Sequence, residues 1–252
     1  METEILVKKI QNLLENRRKG FTEREDKEWD SLIEFRELFK HKHNAILLHF
    51  DYIKKIKNEL VSIIQKIHSE KDFLMNPKNH QRNFIIGKEI GFKSTVFMEG
   101  ALYHLISILD NLSKIIGVYF RQICINTKTF SGVINGLNHE HIKDSEVSSF
   151  VNQNYSEWIK SIKDFRDEIT HGSSKICQVS FIIRMERDEK GVQRTGEGII
   201  INVPQDLKDK FGYKTEDIEV EQVCDDILKK FDDFLNGLLD ILNNKHKEIF
   251  AK

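Results

Sequence analysis

Two prolines in 252 residues, Pro77 and Pro204, set the strongest constraint on how this chain folds. Proline ends or kinks a helix because its ring removes an N–H and clashes with the preceding turn. Ordinary proteins carry about 5% proline, so a chain this poor in helix breakers is expected to build long helices. With 39% hydrophobic and 31% charged residues it has enough apolar side chains for a core beneath a well-solvated surface. At roughly 100–200 residues per domain the length allows one large domain or two small ones, and 1–252 is read as a single domain.

The apolar spacing places the helices. Residues 3–18 carry Ile5, Leu6, Ile10, Leu13 and Leu14 on one side, and Gly20 ends the segment. Thr22-x-x-Glu25 is a capping box that opens a second helix with Trp29, Leu32, Ile33, Phe35 and Phe39 on its face. A third is expected over about 44–70, on Ile46, Phe50, Ile53, Leu60, Ile64 and Ile67, with Lys57 breaking the period. Asn76-Pro77 marks a loop running to about Gly91. The segment 92–123 is apolar almost all round, as in the central helix of a bundle. A looser region, 124–153, leads to a helix at 155–170. After Gly172 the pattern becomes β-branched: 176–185 and 198–203 read as strands separated by Arg187-Asp188-Glu189-Lys190-Gly191. A last helix spans about 218–249. The fold class is therefore mainly α: a helical bundle with accessory N-terminal helices (1–40), a helical core (44–172 and 218–249) and a β-hairpin insertion (176–203) before the last helix.

Charge and motifs exclude several functions. The 39 Lys+Arg balance 40 Asp+Glu, a net charge of −1. Proteins that live on non-specific phosphate contacts carry a basic excess, so any nucleic acid must be handled at a local site. Met-Glu-Thr-Glu at the start lacks an apolar h-region, so no signal peptide is expected, and Gly100–Leu109, the longest uncharged stretch of the central helix, is too short for a bilayer. P-loop, Gly-x-Gly-x-x-Gly, Gly-x-Ser-x-Gly, Cys-x-x-Cys, His-Glu-x-x-His and His-Asp patterns are absent, which argues against nucleotide-cofactor, serine-hydrolase and metal chemistry. Cofactors and metals are expected to be none. His41 and His43 diverge on a helix and read as a solvated face, while His139-Glu140-His141 lacks further ligands at metal-site spacing. Cys124, Cys177 and Cys224 are widely spaced in apolar settings, as inert thiols in a reducing compartment are.

One constellation stands apart. Tyr155, Trp158, Ile159, Ile162, Phe165 and Ile169 form a helical stripe, and Arg166 falls about 40° from Ile162, inside it. A guanidinium in an apolar stripe needs a partner. Asp167 and Glu168 point away from it on an ideal helix. The partner is then another helix, another subunit or an anionic ligand, or else a buried acid such as Asp110 or Glu99. His171 would lie about 140° from Arg166 on a continuous helix. The two converge only if the helix ends near Thr170, and Gly172 is placed to end it. A helix C-terminus also favours a protonated imidazole.

Arg166-Asp167-Glu-Ile-Thr-His171, an Arg-x4-His pattern with a polar residue after the arginine, resembles the signature of the HEPN superfamily (higher eukaryotes and prokaryotes nucleotide-binding domains). Trp158, Ile162 and Phe165 before it, and the upstream helix with Asp110 on an apolar face, are similar to that family too. The resemblance covers 92–172 and the closing helix; helices 3–40 and the β segment depart from the family pattern. It implies a metal-independent endoribonuclease using RNA's own 2′-OH, with His171 for acid–base work, Arg166 on the phosphate and Asp167 orienting the histidine or completing the pocket. It further implies a homodimer with both motifs lining one cleft, a cytoplasmic toxin–antitoxin or phage-defence setting with an antitoxin or other protein partner, and no membrane. The alternative is a non-catalytic HEPN-like module that binds nucleotide, RNA or protein.

Overall fold

Between Glu23 and His68 the sequence contains neither glycine nor proline. In the computed structural model this stretch is one uninterrupted helix. The structure describes residues 2–18, 23–68, 77–119, 128–138, 145–170, 176–188, 191–214 and 218–250. Helix α1 is Glu2–Arg18 and α2 is the 46-residue Glu23–His68. The two helices expected over 22–70 are thus joined, since nothing between them removes a hydrogen bond. Gly20, Thr22 and the side chains of Leu14, Glu25, Trp29, Leu32, Ile64 and Ile67 lie outside the described residues.

The segment from Pro77 to Gly91, expected as a loop, is the first part of helix α3, Pro77–Tyr119. Pro77 occupies its first position, where the missing N–H has no helical partner to lose. The region read as loose forms two short helices, α4 (Phe130–Leu137) and α5 (Glu146–Asn154). The Thr129 hydroxyl accepts from the Gly132 N–H, and Ser145 from Ser148, so each helix has an N-cap of the usual kind. A π-helical turn, Tyr155–Ile159, leads from α5 into α6, Lys160–Thr170.

The expected hairpin is present and longer than its β-branched runs. Strands β1 (Gln178–Asp188) and β2 (Gly191–Asn202) pair antiparallel from Gln178↔Asn202 to Asp188↔Gly191, with a bulge between Arg184 and Met185. Gly196 and Gly198 lie within β2 opposite Arg184 and Ile182. Ile199, Ile201 and Val203 are buried at the period-two spacing of a half-buried strand. Helix α7 (Gln205–Phe211), not foreseen, follows Pro204 and ends at Gly212, whose φ of +70° is the left-handed C-terminal conformation glycine favours. Helix α8 runs Val220–Phe250.

The chain divides into two compact units, each discontinuous in sequence. The first comprises Met1–Leu47, Leu102–Lys163 and Ile227–Lys252. Its core joins Leu6 and Ile10 of α1 to Phe39, Leu105, Leu112, Val133, Trp158, Phe231 and Leu238. Phe234 takes Phe150 in a parallel stack at 5.8 Å and Trp158 edge-on at 6.1 Å. The second comprises Leu48–Ala101 and Asp164–Asp226. Ile53, Leu60, Met98, Phe165, Cys177, Ile201, Leu207 and Val223 fill it. Within this second unit Lys57, the break in the α2 period, reaches Glu219 at 2.5 Å and Glu221 at 3.2 Å. Burial pulls its pKa down, but those two hydrogen bonds outweigh it and the net direction is up.

Candidate functional site

The motif helix is built on a deep apolar stripe. Trp158, Ile159, Ile162 and Phe165 are each at most 2% exposed, while Tyr155 is only half-buried. The π turn explains Tyr155: its carbonyl accepts from the Lys160 N–H, one residue beyond the α spacing, which rotates everything before it relative to α6. The arithmetic from Ile162 to Arg166 lies wholly within α6 and is unaffected.

In the last turns of α6, Arg166 is half-buried and its Nε lies 2.9 Å from Asp167 Oδ1. The expectation that Asp167 points away from the guanidinium is corrected here. Both side chains are partly in water, at 26% and 46% exposure, and the arginine stem is long enough to fold back across one peptide unit. Of the other acids considered, Asp110 accepts the Phe130 N–H at 2.9 Å. Glu99 is half-buried, and burial holds its carboxyl above the usual range. One residue past Asp167, Glu168 accepts from Lys210 Nζ of α7 at 2.7 Å. The end of α6 therefore carries two ion pairs, Arg166 with Asp167 and Glu168 with Lys210 of α7. His171 and Gly172, the remaining parts of the motif, lie outside the described residues, as do Thr170's and Ile169's side chains.

The chain after the motif is secured to α3. The Cys177 N–H donates to Thr95 Oγ1 at 2.8 Å, and the Thr95 hydroxyl donates to the Gly91 carbonyl, also at 2.8 Å. The approach is so close that a Cβ on Gly91 would stand 2.2 Å from the Cys177 carbonyl oxygen. Neither Thr95 nor Lys210 was singled out in the sequence. Thr95 sits in a helix read for its apolar residues and its acids Glu99 and Asp110, and Lys210 in a helix too short to show a period.

Both described cysteines are buried, as expected of inert thiols. Burial pushes the Cys177 thiol up to about 11 and raises Cys224 as well. Cys124, His139 and His141 lie outside the described residues.

The first unit holds two further polar clusters. His43, read as part of a solvated face, has no exposed surface. Its ring stacks on Phe39 at 5.4 Å and Phe231 at 6.1 Å. Nδ1 lies 2.8 Å from Thr3 Oγ1 and Nε2 lies 2.9 Å from Asp232 Oδ1. His41, two positions earlier, is exposed, so the divergence of the pair holds while the solvent reading fails for His43. The second cluster is Lys42, which donates to Ser107 Oγ. Burial lowers the Lys42 pKa, Asp110 raises it and Lys114 lowers it, with a net downward direction. Burial and then Lys42 hold His104 below the ordinary imidazole range.

Among the described residues no three His, Cys, Asp or Glu side chains come together as a metal site, and no helix is long and apolar enough to cross a membrane. The fold defines a mainly helical protein with one two-stranded antiparallel sheet among its described residues. No family model, curated protein or solved structure matches the chain.

Proposed function

We propose that the chain is a metal-independent HEPN-type endoribonuclease acting at Arg166, Asp167 and His171. The observation that carries the reading is the half-buried Arg166 at the end of an apolar helix, held beside Asp167 and next to the Glu168–Lys210 pair. A planar guanidinium with part of its surface in water is suited to bidentate phosphate contact. Asp167, 2.9 Å from it, steadies the cation between turnovers. His171, one residue beyond Thr170, supplies a group whose ordinary titration range suits proton transfer near neutral pH. RNA provides its own nucleophile. The 2′-OH attacks the adjacent phosphorus, its proton leaves to a base, the P–O5′ bond breaks, and an acid protonates the departing 5′-oxygen. The products are a 2′,3′-cyclic phosphate and a 5′-OH end. Two copies paired with both motifs at one cleft would supply an acid and a base together. The setting that goes with this chemistry is a cytoplasmic toxin–antitoxin or phage-defence system.

The test is cleavage of a defined RNA in excess EDTA, with end-group analysis of the products. Cyclic phosphate ends from the wild type, lost in His171→Ala, support the reading. Activity that needs a divalent ion and survives in His171→Ala refutes it. A second reading, a non-catalytic module for nucleotide, RNA or protein, is favoured by the same ion pair, because a guanidinium already neutralised by Asp167 is a weaker phosphorane ligand. RNA binding without cleavage would select it.

A further inference from the structure

The first unit sets one lysine in an apolar helix face and lines it with polar groups from another helix. Lys42 of α2 has Leu38, Phe39, Ala45 and Ile46 one turn to either side. Its head group donates to Ser107 Oγ of α3. At 100° per residue His104, Ser107, Asp110 and Lys114 fall within an arc of about 120°. They form a polar stripe on a helix whose Leu105 and Leu112 are completely buried. Lys42, His104, Ser107 and Asp110 are half-buried, while Lys114 and Tyr103 are exposed, so the stripe is open to small molecules at one edge.

The groups divide the work of a nucleophilic amine. Ser107 fixes the Lys42 nitrogen in place by accepting one of its hydrogens. Burial holds that amine below the ordinary lysine range against the pull of Asp110, and Lys114 pushes the same way as burial. A lysine desolvated beside a second cation attacks carbonyl carbon. His104, kept neutral by burial and then by Lys42, is the nearby base. Helical side chains lean toward the helix N-terminus, which carries the Lys114 ammonium back along the stripe as a second positive charge. Asp110, whose Oδ1 accepts the Phe130 N–H, supplies the counter-charge for a cationic adduct.

We propose that Lys42 captures a small carbonyl compound bearing a carboxylate, a 2-oxo acid, as a protonated imine, with Lys114 holding the carboxylate. The nitrogen lone pair attacks the carbonyl carbon and the C–N bond forms. His104 takes a proton from that nitrogen and returns it to the oxygen. The C–O bond then breaks, the oxygen leaves as water with the proton that the lysine ammonium first gave up, and the C=N bond keeps the positive charge. Ammonium and carbonyl become iminium and water, with no other reactant. The cluster shares no residue with Arg166, Asp167 and His171, so the inference goes beyond the ribonuclease reading and is tested without RNA.

The full chain is incubated with glyoxylate and cyanoborohydride at about pH 8 and mapped by peptide mass spectrometry. N-carboxymethylation is expected first at Lys42, several-fold faster than at the exposed Lys8 and Lys229. That comparison is made within the wild-type protein and needs no variant to fold. Lys114→Met changes an exposed residue. It is expected to slow the labelling of Lys42 by glyoxylate several-fold more than its labelling by the uncharged propionaldehyde, because only glyoxylate uses the second cation. Labelling of Lys42 no faster than that of Lys8 and Lys229 overturns the proposal. Equal effects of Lys114→Met on the two aldehydes overturn the assignment of Lys114 to the carboxylate. Rapid capture at Lys42 by a protein that cleaves no RNA leaves this site standing and removes only the nuclease.

Discussion

Removing the Asp232 carboxylate tests how the first unit holds its N-terminal helix. His43 is completely buried between Phe39 and Phe231, with Thr3 of α1 on one ring nitrogen and Asp232 of α8 on the other. In the neutral ring, Nε2–H donates to the carboxylate and Nδ1 accepts from the Thr3 hydroxyl. Asp232→Ala leaves the Nε2 donor in the core with no oxygen to receive it. Orphaning a buried polar group costs about 1–3 kcal/mol, and hydrogen bonds to charged groups lie toward the upper part of that range, so a loss of about 2–3 kcal/mol is expected. Asp232→Asn keeps an acceptor oxygen and loses about half as much. Thr3→Val, which removes a neutral partner at nearly constant volume, costs about 1 kcal/mol. Both tryptophans, Trp29 and Trp158, fall in the first unit's sequence, so their fluorescence in urea reports that unit. With a urea slope of about 2–3 kcal/mol/M, the Asp232→Ala midpoint falls by about 1 M at unchanged slope. In a double-mutant cycle with His43→Leu the two losses are expected to be strongly non-additive. A midpoint shift under about 0.2 M, or full additivity, refutes the buried Thr3–His43–Asp232 arrangement.

His104 titrates below the ordinary imidazole range because of burial first and Lys42 second; NMR titration of Lys42→Met should find it moved back only in part. The native state holds His104 neutral more firmly than the unfolded chain does. Its contribution to stability is therefore present above the unfolded imidazole pKa and declines as pH falls from there through the lowered folded value, which acid titration of wild type against His104→Gln checks. Cys177, with its thiol pushed up to about 11, and Cys224 resist maleimide at pH 7–8 in the native protein and react in urea; peptide mapping showing fast native labelling of either would contradict their burial. Gly91→Ala sets a methyl 2.2 Å from a backbone oxygen that cannot rotate aside, and should destabilise the second unit by about 2 kcal/mol or more, measured by denaturation followed through hairpin hydrogen exchange. If the ribonuclease reading holds, Arg166→Ala and His171→Ala each lower the cleavage rate by roughly 10²–10⁴ while far-UV circular dichroism stays unchanged.

The sequence by itself determined the helical class and the hairpin. Both follow from local chemistry: only two prolines to interrupt a helix, a 3.6-residue apolar period, and β-branched runs after Gly172. The arithmetic that puts Arg166 inside the apolar stripe spans one unbroken turn of α6, and the side chain is half-buried there. Only the tertiary structure decided why particular residues depart from the local pattern. Gly91 looked like the end of a loop; it is a helical residue where the Cys177 carbonyl comes too close for any side chain. Lys57 looked like a defect in an apolar face; two glutamates 162 and 164 residues away give it partners. His43 looked solvated because histidine usually is, until Thr3 and Asp232 satisfied both nitrogens inside a sandwich of phenylalanines. Asp167 looked turned away from Arg166 because helix angles track Cα–Cβ directions, not the ends of long flexible side chains. In each case the deciding atom belongs to a distant residue or to the far end of a side chain, and a periodicity computed along the chain contains neither.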